Sequence, residues 1–320
     1  MKILVTGGAG FIGSALARRL TTEGHEVVIL DNFNEYYDVS LKRARVASLI
    51  PDLTVFTIDI TDKAALEELF STHTFDVVCH LAAQAGVRYS VETPEVYVTT
   101  NVLGTQTLFE VMQKHGVRRM VFASTSSAYG VDTPVPFKET TAADRPVSVY
   151  AATKRAGELL AHSYFVQYGI ETTCLRFFTV YGPWSRPDMA MLKFAEKIAA
   201  GESIDIYNKG EMRRDFTYID DIVEGFIKAV KKSLGYEIIN LGNGSPVELL
   251  RFVEALEEKL GTTAHKNFLP MQQGDVFETY ADTTKAKELL DFETAVDFEE
   301  GIEAFTHWFM RYYGTGIKNA

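Results

Sequence analysis

From residue 1 to about 180, short apolar runs alternate with stretches in which apolar residues recur every three or four positions. The runs KILVTG, EVVILD, LTVFTIDI, FDVVCHLAA, RMVFAST and ETTCLRFF read as strands. The stretches through SALARRLTTEG, SLKRARVASL, AALEELFSTH, NVLGTQTLFEVMQKHG and VYAATKRAGELLAHSYFVQYG read as helices. Strands that are apolar throughout are buried on both faces, and alternation with helices supplies the cover. The pattern therefore predicts an α/β fold, a Rossmann-type doubly wound parallel sheet, over residues 1–180. After that the pattern loosens into aromatic and Gly/Pro loops, a helix from MLKFAEKIAAG, the polar stretch YNKGEMRRDF, the helix IDDIVEGFIKAV, the strand YEIINLG and two closing amphipathic helices. Residues 181–320 are expected to form a smaller α/β substrate-binding lobe, with a segment near 216–242 returning to the first unit.

Composition narrows the classes. The 320 residues carry a formal charge of -11 with no basic stripe, which argues against nucleic acid as a partner. A hydrophobic content of 46% suits a chain with a large core rather than a disordered one. Cys79 and Cys174 lie inside apolar runs and read as small buried hydrophobes, so neither a disulfide framework nor a metal site is expected. No apolar run reaches the roughly 18 residues that cross a bilayer. The expectation is a soluble cytoplasmic protein.

The first strand runs into GGAGFIG, where Gly7, Gly10 and Gly13 lead into a helix opening near Phe11 and Ile12. Glycines permit the tight turn and let backbone approach a pyrophosphate, whose charge the helix N-terminus meets. Alone the motif is weak evidence; following a strand and opening a βαβ unit, it is strong. Asp31, beside Asn32, ends the second strand, where a carboxylate accepts ribose hydroxyls and repels a 2′-phosphate, which favours NAD over NADP. The alternative for Asp31 is a helix cap. Asp59 and Ile60 close the third strand and can contact adenine. Leu81, Ala82, Ala83 and Gln84 close the fourth beneath the pyrophosphate, with ordinary turn chemistry as the bland alternative.

Tyr150 and Lys154, in YAATK, stand four apart on a helix and share a face. An ammonium beside a phenol favours phenolate, so Lys154 is expected to draw the phenol toward neutrality and make Tyr150 a general base.

GGAGFIG, Asp31, LAAQ, STSSAYG, YAATK, RFFTVYGP and RRDFTYIDD together resemble the extended short-chain dehydrogenase/reductase superfamily over essentially the whole chain, in particular its NAD-dependent sugar-nucleotide epimerases. The resemblance implies that Thr125 hydrogen-bonds the reacting alcohol beside Tyr150. It sets Ser124 against the nicotinamide side and Ser126 and Ser127 along the substrate. Relatives that eliminate water or decarboxylate carry acids after that threonine, and this chain has Ser126, Ser127 and Ala128 instead.

Thr179 replaces the asparagine that precedes Val-Tyr-Gly-Pro in UDP-galactose 4-epimerases. With EYYDVSLK, AGVRYS and PWSRPDMA, it matches the branch acting on UDP-glucuronate. A uronate carboxylate needs a cationic partner, for which Arg186 is the first candidate and Arg88 the second, either being alternatively a surface ion-pair residue. Arg214 resembles the family's diphosphate-binding arginine, and Asp275 its ribose-binding residue. Gln272 stands where many relatives have an arginine, which shifts the diphosphate's charge balance onto Arg214 and Lys193. Tyr207 lines a uracil pocket or belongs to the lobe's core. The expectation is C4 epimerisation of UDP-glucuronate to UDP-galacturonate by a homodimer with bound NAD. A 4-epimerase of UDP-glucose or UDP-N-acetylglucosamine, a UDP-glucuronate decarboxylase and a non-catalytic NAD-binding scaffold are the alternatives.

Overall fold

The computed structural model describes residues 1–271 and 276–314. Among these, seven strands form one parallel sheet: β1 (Lys2–Thr6), β2 (Glu26–Leu30), β3 (Val55–Phe56), β4 (Val77–His80), β5 (Arg119–Thr125), β6 (Glu171–Phe177) and β11 (Tyr236–Leu241). Their order is β11-β6-β5-β4-β1-β2-β3. The chain steps outward from β1 through β2 to β3, then starts again at β4 and moves the other way. Loops leaving β1 and β4 therefore diverge and open a crevice at the carboxyl ends of the strands.

Pleating divides the apolar side chains between two layers. Ile3, Val5, Val77 and Cys79 face one way, against Leu16 and Leu20 of the helix Phe11–Thr22. Leu4, Val28 and Val78 face the other, against Leu66 and Phe70 of the helix Lys63–Thr72 and Leu108 and Met112 of the helix Thr105–Lys114. The first layer continues into the C-terminal part of the chain, where Ile204, Phe252 and Phe305 belong to the same buried cluster. There Phe216 and Phe252 stack with ring centroids 4.7 Å apart.

Outside the large sheet, the described residues form three small sheets. β7 (Thr179–Tyr181) pairs with β10 (Phe216–Tyr218), β8 (Ser203–Tyr207) with β13 (His265–Leu269), and β9 (Arg213–Arg214) lies between β12 (Val247–Glu248) and β14 (Glu278–Thr279). Three helices support them, Ala190–Ala200, Leu249–Leu260 and Phe298–Tyr313. No described helix is long and apolar enough to cross a membrane.

Two elements differ from the sequence expectation. β3 keeps only Val55 and Phe56 of LTVFTIDI, because the chain then turns: Ile58 N–H donates to Phe56 O, and the Asp59 carboxylate accepts from Thr61 N–H at 2.9 Å. The helix expected from Asn101 begins earlier. It runs from Pro94–Tyr97 through a π-helical stretch, Val98–Gly104, and the wider turn leaves Asn101 buried beside the fourth strand's loop.

Candidate active site

The turn after β1 is closed by its own backbone. Gly7 N–H donates to Leu30 O at 2.7 Å and Gly10 N–H to Gly7 O at 3.0 Å. Gly7 has φ +70°, and a Cβ there would stand 2.7 Å from Ala82 N; one on Gly13 would stand 2.2 Å from Gly7 O. Only glycine lets the turn pass this close to the β4 loop. Gly10 caps the following helix without a side chain, so no side chain meets the first-turn amides of Phe11 and Ile12, an arrangement suited to an anion. Asp31 fixes the turn from β2, accepting from Ala9 N–H at 3.1 Å and Phe33 N–H at 2.8 Å.

A cavity of about 370 Å³ extends from this turn. Gly7, Gly10, Phe11, Ile12, Gly13, Asp31, Asn32, Ile60 and Leu81 to Gln84 line it, and so do Ser124, Thr125, Tyr150, Lys154, Thr179 and Arg186. Asp59 does not. It stands behind the wall, accepting from Asn32 Nδ2 at 2.8 Å and from Thr61 Oγ1 at 2.7 Å, and so holds Asn32 in place. The uncapped helix end and the Asp31 carboxylate suit a dinucleotide's diphosphate and ribose.

Sequence reasoning missed part of this lining. Asn34, Tyr36, Tyr37 and Lys42 reach the cavity from EYYDVSLK, a stretch quoted above only as a branch marker. Lys42 is buried, donates to Asn34 Oδ1 at 2.7 Å and lies 3.8 Å from Asp31. Burial draws its pKa down and Asp31 draws it up. Asp31→Asn, which removes the repulsion while leaving Lys42 to meet a 2′-phosphate, is expected to shift the NADP/NAD affinity ratio about tenfold toward NADP. Fluorescence titration of both dinucleotides measures it, and an unchanged ratio would show that Asp31 does not discriminate.

Two further residues hold the walls. Asn101 accepts from Gln84 N–H at 2.7 Å and donates to Gln84 O and Thr153 Oγ1, both at 3.0 Å, which fastens the β4 loop to the helix Val149–Tyr168. Arg45, fully buried, donates to Trp184 O at 3.0 and 2.8 Å, to Ser185 O at 3.3 Å, to Ala9 O at 3.4 Å and to Tyr37 Oη at 2.6 Å. It thereby ties the glycine turn to the loop that carries Arg186. Neither has a local motif; both bond to segments remote in sequence.

At the reactive end, Ser148 caps the helix Val149–Tyr168 by accepting from Ala151 N–H at 3.1 Å, and Tyr150, Lys154 and Glu158 follow at intervals of four. Lys154 Nζ sits 4.2 Å from the Phe122 ring centroid. Burial draws its pKa down to about 8, opposed by the Glu158 charge. The expected pull of Lys154 on the Tyr150 phenol is not what this geometry produces. Burial raises the phenol's pKa; the Arg186 charge and a hydrogen bond with Thr125 draw it back, and Asp188 raises it. An ammonium stripped of water is itself partly neutral near pH 8, so it is a poor source of field for its neighbour.

STSSAYG ends the strand and caps a short turn. Thr125 closes β5 and accepts from Ser127 N–H at 3.2 Å, and Ser126–Tyr129 makes one 3₁₀ turn. Ser126 and Ser127 are half-buried there but do not line the cavity. Ser124 lines it and donates to Glu158 at 2.6 Å.

On the substrate side, Thr179 opens β7. The Arg186 guanidinium, expected to wait for a ligand's carboxylate, holds an internal one: Nε and Nη2 bond the two oxygens of Asp188 at 3.0 and 3.1 Å. Tyr36 Oη also donates to Asp188, at 3.3 Å. Only the Nη1 side of Arg186 is unengaged among the described residues, so a ligand's carboxylate must come to that side or displace Asp188. Arg88 and Tyr207 meet each other outside the lining, the guanidinium 5.9 Å from the ring centroid. Arg214 donates to Arg213 O at 3.0 Å and Phe277 O at 3.2 Å. Lys193 is exposed on the helix Ala190–Ala200. Neither lines the cavity. Gln272 and Asp275 lie outside the described residues. In RRDFTYIDD the acids are structural anchors: Asp215 accepts from the N–H groups of Asn243, Gly244 and Ala281 at 2.7 to 3.0 Å, and Asp221 from Ala295 and Val296.

Tyr150 and Lys154 thus line a cavity at the switch point of a parallel sheet, beside a glycine turn suited to a dinucleotide. Residues 3–242 match the NAD dependent epimerase/dehydratase family, and the chain belongs to it. A probable UDP-glucuronate 4-epimerase of Rhizobium meliloti (strain 1021) is 43% identical over 98% of both chains. The structure of a UDP-glucuronic acid 4-epimerase from Bacillus cereus, in complex with UDP-glucuronic acid and NAD, has a TM-score of 0.91 at 36% identity, covering 98% of this chain and all of that one. A UDP-glucose 4-epimerase from Thermotoga maritima has the same score at 34% identity and the same coverage.

Proposed function

We propose that this chain interconverts UDP-glucuronate and UDP-galacturonate by inverting C4. One observation supports the choice: Arg186 lines the same cavity as Thr125, Tyr150 and Lys154, and the only acidic lining residue among those described is Asp31, bonded to the glycine turn. A cation suits a uronate, and Asp188, the carboxylate whose charge acts on Tyr150, is held by Arg186 and Tyr36 rather than lining the cavity. The naming of the Rhizobium meliloti and Bacillus cereus proteins agrees with this reading.

Gly7, Gly10, Gly13, Asp31, Asn32 and Leu81 to Gln84 would hold NAD, which when bound would supply reversible hydride acceptance. Tyr150 removes the proton of the C4 hydroxyl, and Thr125 hydrogen-bonds the same oxygen. Lys154, whose pKa burial draws down, lies behind the phenol, where it buffers charge. The resulting 4-keto sugar turns about its diphosphate link and presents its other face, and Tyr150 returns the proton. Since the ketone at C4 and the carboxylate on C5 form a β-keto acid, the bond to C6 must stay near the carbonyl plane to avoid loss of carbon dioxide. Arg186 and Thr179, which line the cavity, hold it there. Arg88, Lys193, Tyr207, Arg214 and Asp275 belong to the UDP side in this reading, which takes residues 181–320 as the substrate lobe.

The test is incubation of the pure protein with UDP-glucuronate and no added NAD, with products read by NMR. UDP-galacturonate is expected. A UDP-pentose as main product, or turnover of UDP-glucose alone, would replace the reading by its decarboxylase or neutral-sugar rival. Arg186→Ala is expected to lower kcat/KM about 10- to 100-fold and to raise the share of decarboxylated product; an unchanged rate and product ratio would remove Arg186 from this role. Exposed Val98, Leu103, Leu159 and Val166 on the two long helical runs support a homodimer, which a single-chain mass in sedimentation would exclude.

A further inference from the structure

Behind the reactive end lies a charge that the mechanism above does not use. Glu158 is fully buried one helical turn beyond Lys154, and its carboxylate accepts from Arg176 Nε at 2.8 Å and Nη2 at 2.7 Å, from Arg155 Nη1 at 2.8 Å and from Ser124 Oγ at 2.6 Å. Two guanidiniums keep the carboxylate ionised, and an ionised carboxylate only accepts. Ser124 must therefore be the donor in its bond. A hydroxyl has one proton, so whatever Ser124 offers to the cavity that it lines is a lone pair and nothing else.

We propose that Glu158 is a positioning residue which, by claiming the Ser124 proton, makes this wall of the cofactor pocket acceptor-only, so that it selects a pyridine ring bearing an N–H donor, a primary carboxamide, and fixes that group's rotation. A ring substituent with only a carbonyl would put two acceptors face to face in a buried place, which costs the unmade bond on both sides. Arg155 and Arg176 already compensate Glu158, so the carboxylate does not need Ser124 for its own stability. Of these four residues, only Ser124 lines the pocket. This inference rests on the dinucleotide reading of the cavity and not on the identity of the sugar.

Displacement of radiolabelled NAD from the full-length protein, with no sugar present, tests it. The competitors are unlabelled NAD and 3-acetylpyridine adenine dinucleotide, in which a methyl group replaces the carboxamide nitrogen and leaves the carbonyl. The parent is expected to need about tenfold more analogue than NAD. Ser124→Ala, which leaves the Glu158–Arg176 pair intact, is expected to bring that ratio down to within about twofold of unity. Glu158→Gln narrows it as well, because an amide nitrogen can donate to Ser124 and release its proton toward the ring. The same ratio in parent and Ser124→Ala overturns the proposal whether or not Glu158→Gln folds. Failure of the protein to bind NAD at all would overturn the dinucleotide reading with it, whereas failure to turn over UDP-glucuronate, with the ratios as expected, would count against the proposed reaction alone.

Discussion

Tyr150→Phe is expected to reduce turnover of UDP-glucuronate about 10²- to 10⁴-fold while the protein still binds the dinucleotide and the sugar nucleotide. The ring stays, with its edge-on contact to Tyr97 at 6.2 Å between centroids, so the wall of the cavity keeps its shape. What is lost is one oxygen, and with it the acceptor for the C4 proton. Thr125 cannot stand in, since an aliphatic hydroxyl is a far weaker acid than a phenol, and Lys154 is set one turn back along the helix. The phenol's pKa is itself held up by burial, so the parent's rate should climb with pH as a larger fraction ionises, and this climb should vanish in the variant. Rates by NMR across pH, with dinucleotide retention read by absorbance, make the comparison. A variant within threefold of the parent would mean that another group carries the proton.

The largest stability effect is expected at Arg176→Ala. Arg176 and Glu158 are both buried and pair through two bonds, so removing the cation leaves the carboxylate with Ser124 and the partly exposed Arg155. Breaking a buried pair from one side costs about 3–5 kcal/mol, which for a chain of this size lowers the melting temperature on the order of 10 °C. The loss should depend on pH in a definite sense. In the parent, the guanidinium holds Glu158 below the ordinary glutamate range against the opposing effect of burial. The stabilisation is therefore complete above the unfolded glutamate pKa and fades as pH falls through the lower folded value. In the variant, burial is no longer opposed as strongly, and protonation relieves it. The gap between parent and variant in calorimetry should thus narrow toward acid. A gap that stays constant down to pH 4 would assign the loss to packing over Tyr129, whose ring lies 4.4 Å from the guanidinium.

Much of the fold could be read from apolar spacing, because a parallel sheet needs strands without polar interruption and helices between them. The glycine turn and the Tyr150–Lys154 interval were legible for the same reason: both are local, one set by backbone sterics and the other by helical pitch. What spacing cannot show is which remote segment meets a side chain. Asn101 acts through Gln84 and Thr153, Lys42 through Asp31, and Asp188 through Arg186 and Tyr36. None of these pairs, apart from Arg186 with Asp188, is close in the chain. The direction of the Tyr150 shift was also beyond the sequence, since adjacency of two groups does not reveal how far each is removed from water. Arg88 and Tyr207, taken separately as substrate residues, turn out to touch each other.

Arg45 has a consequence for how the sugar inverts. Its guanidinium rivets the segment bearing Arg186 to the glycine turn, at four carbonyl and hydroxyl oxygens belonging to Trp184, Ser185, Ala9 and Tyr37. Ceiling and floor of the chamber are then one piece, and a hinged flap at this point would have to tear several bonds from a fully enclosed cation. In the proposed reaction the sugar would then have to turn between two walls that stay joined to each other.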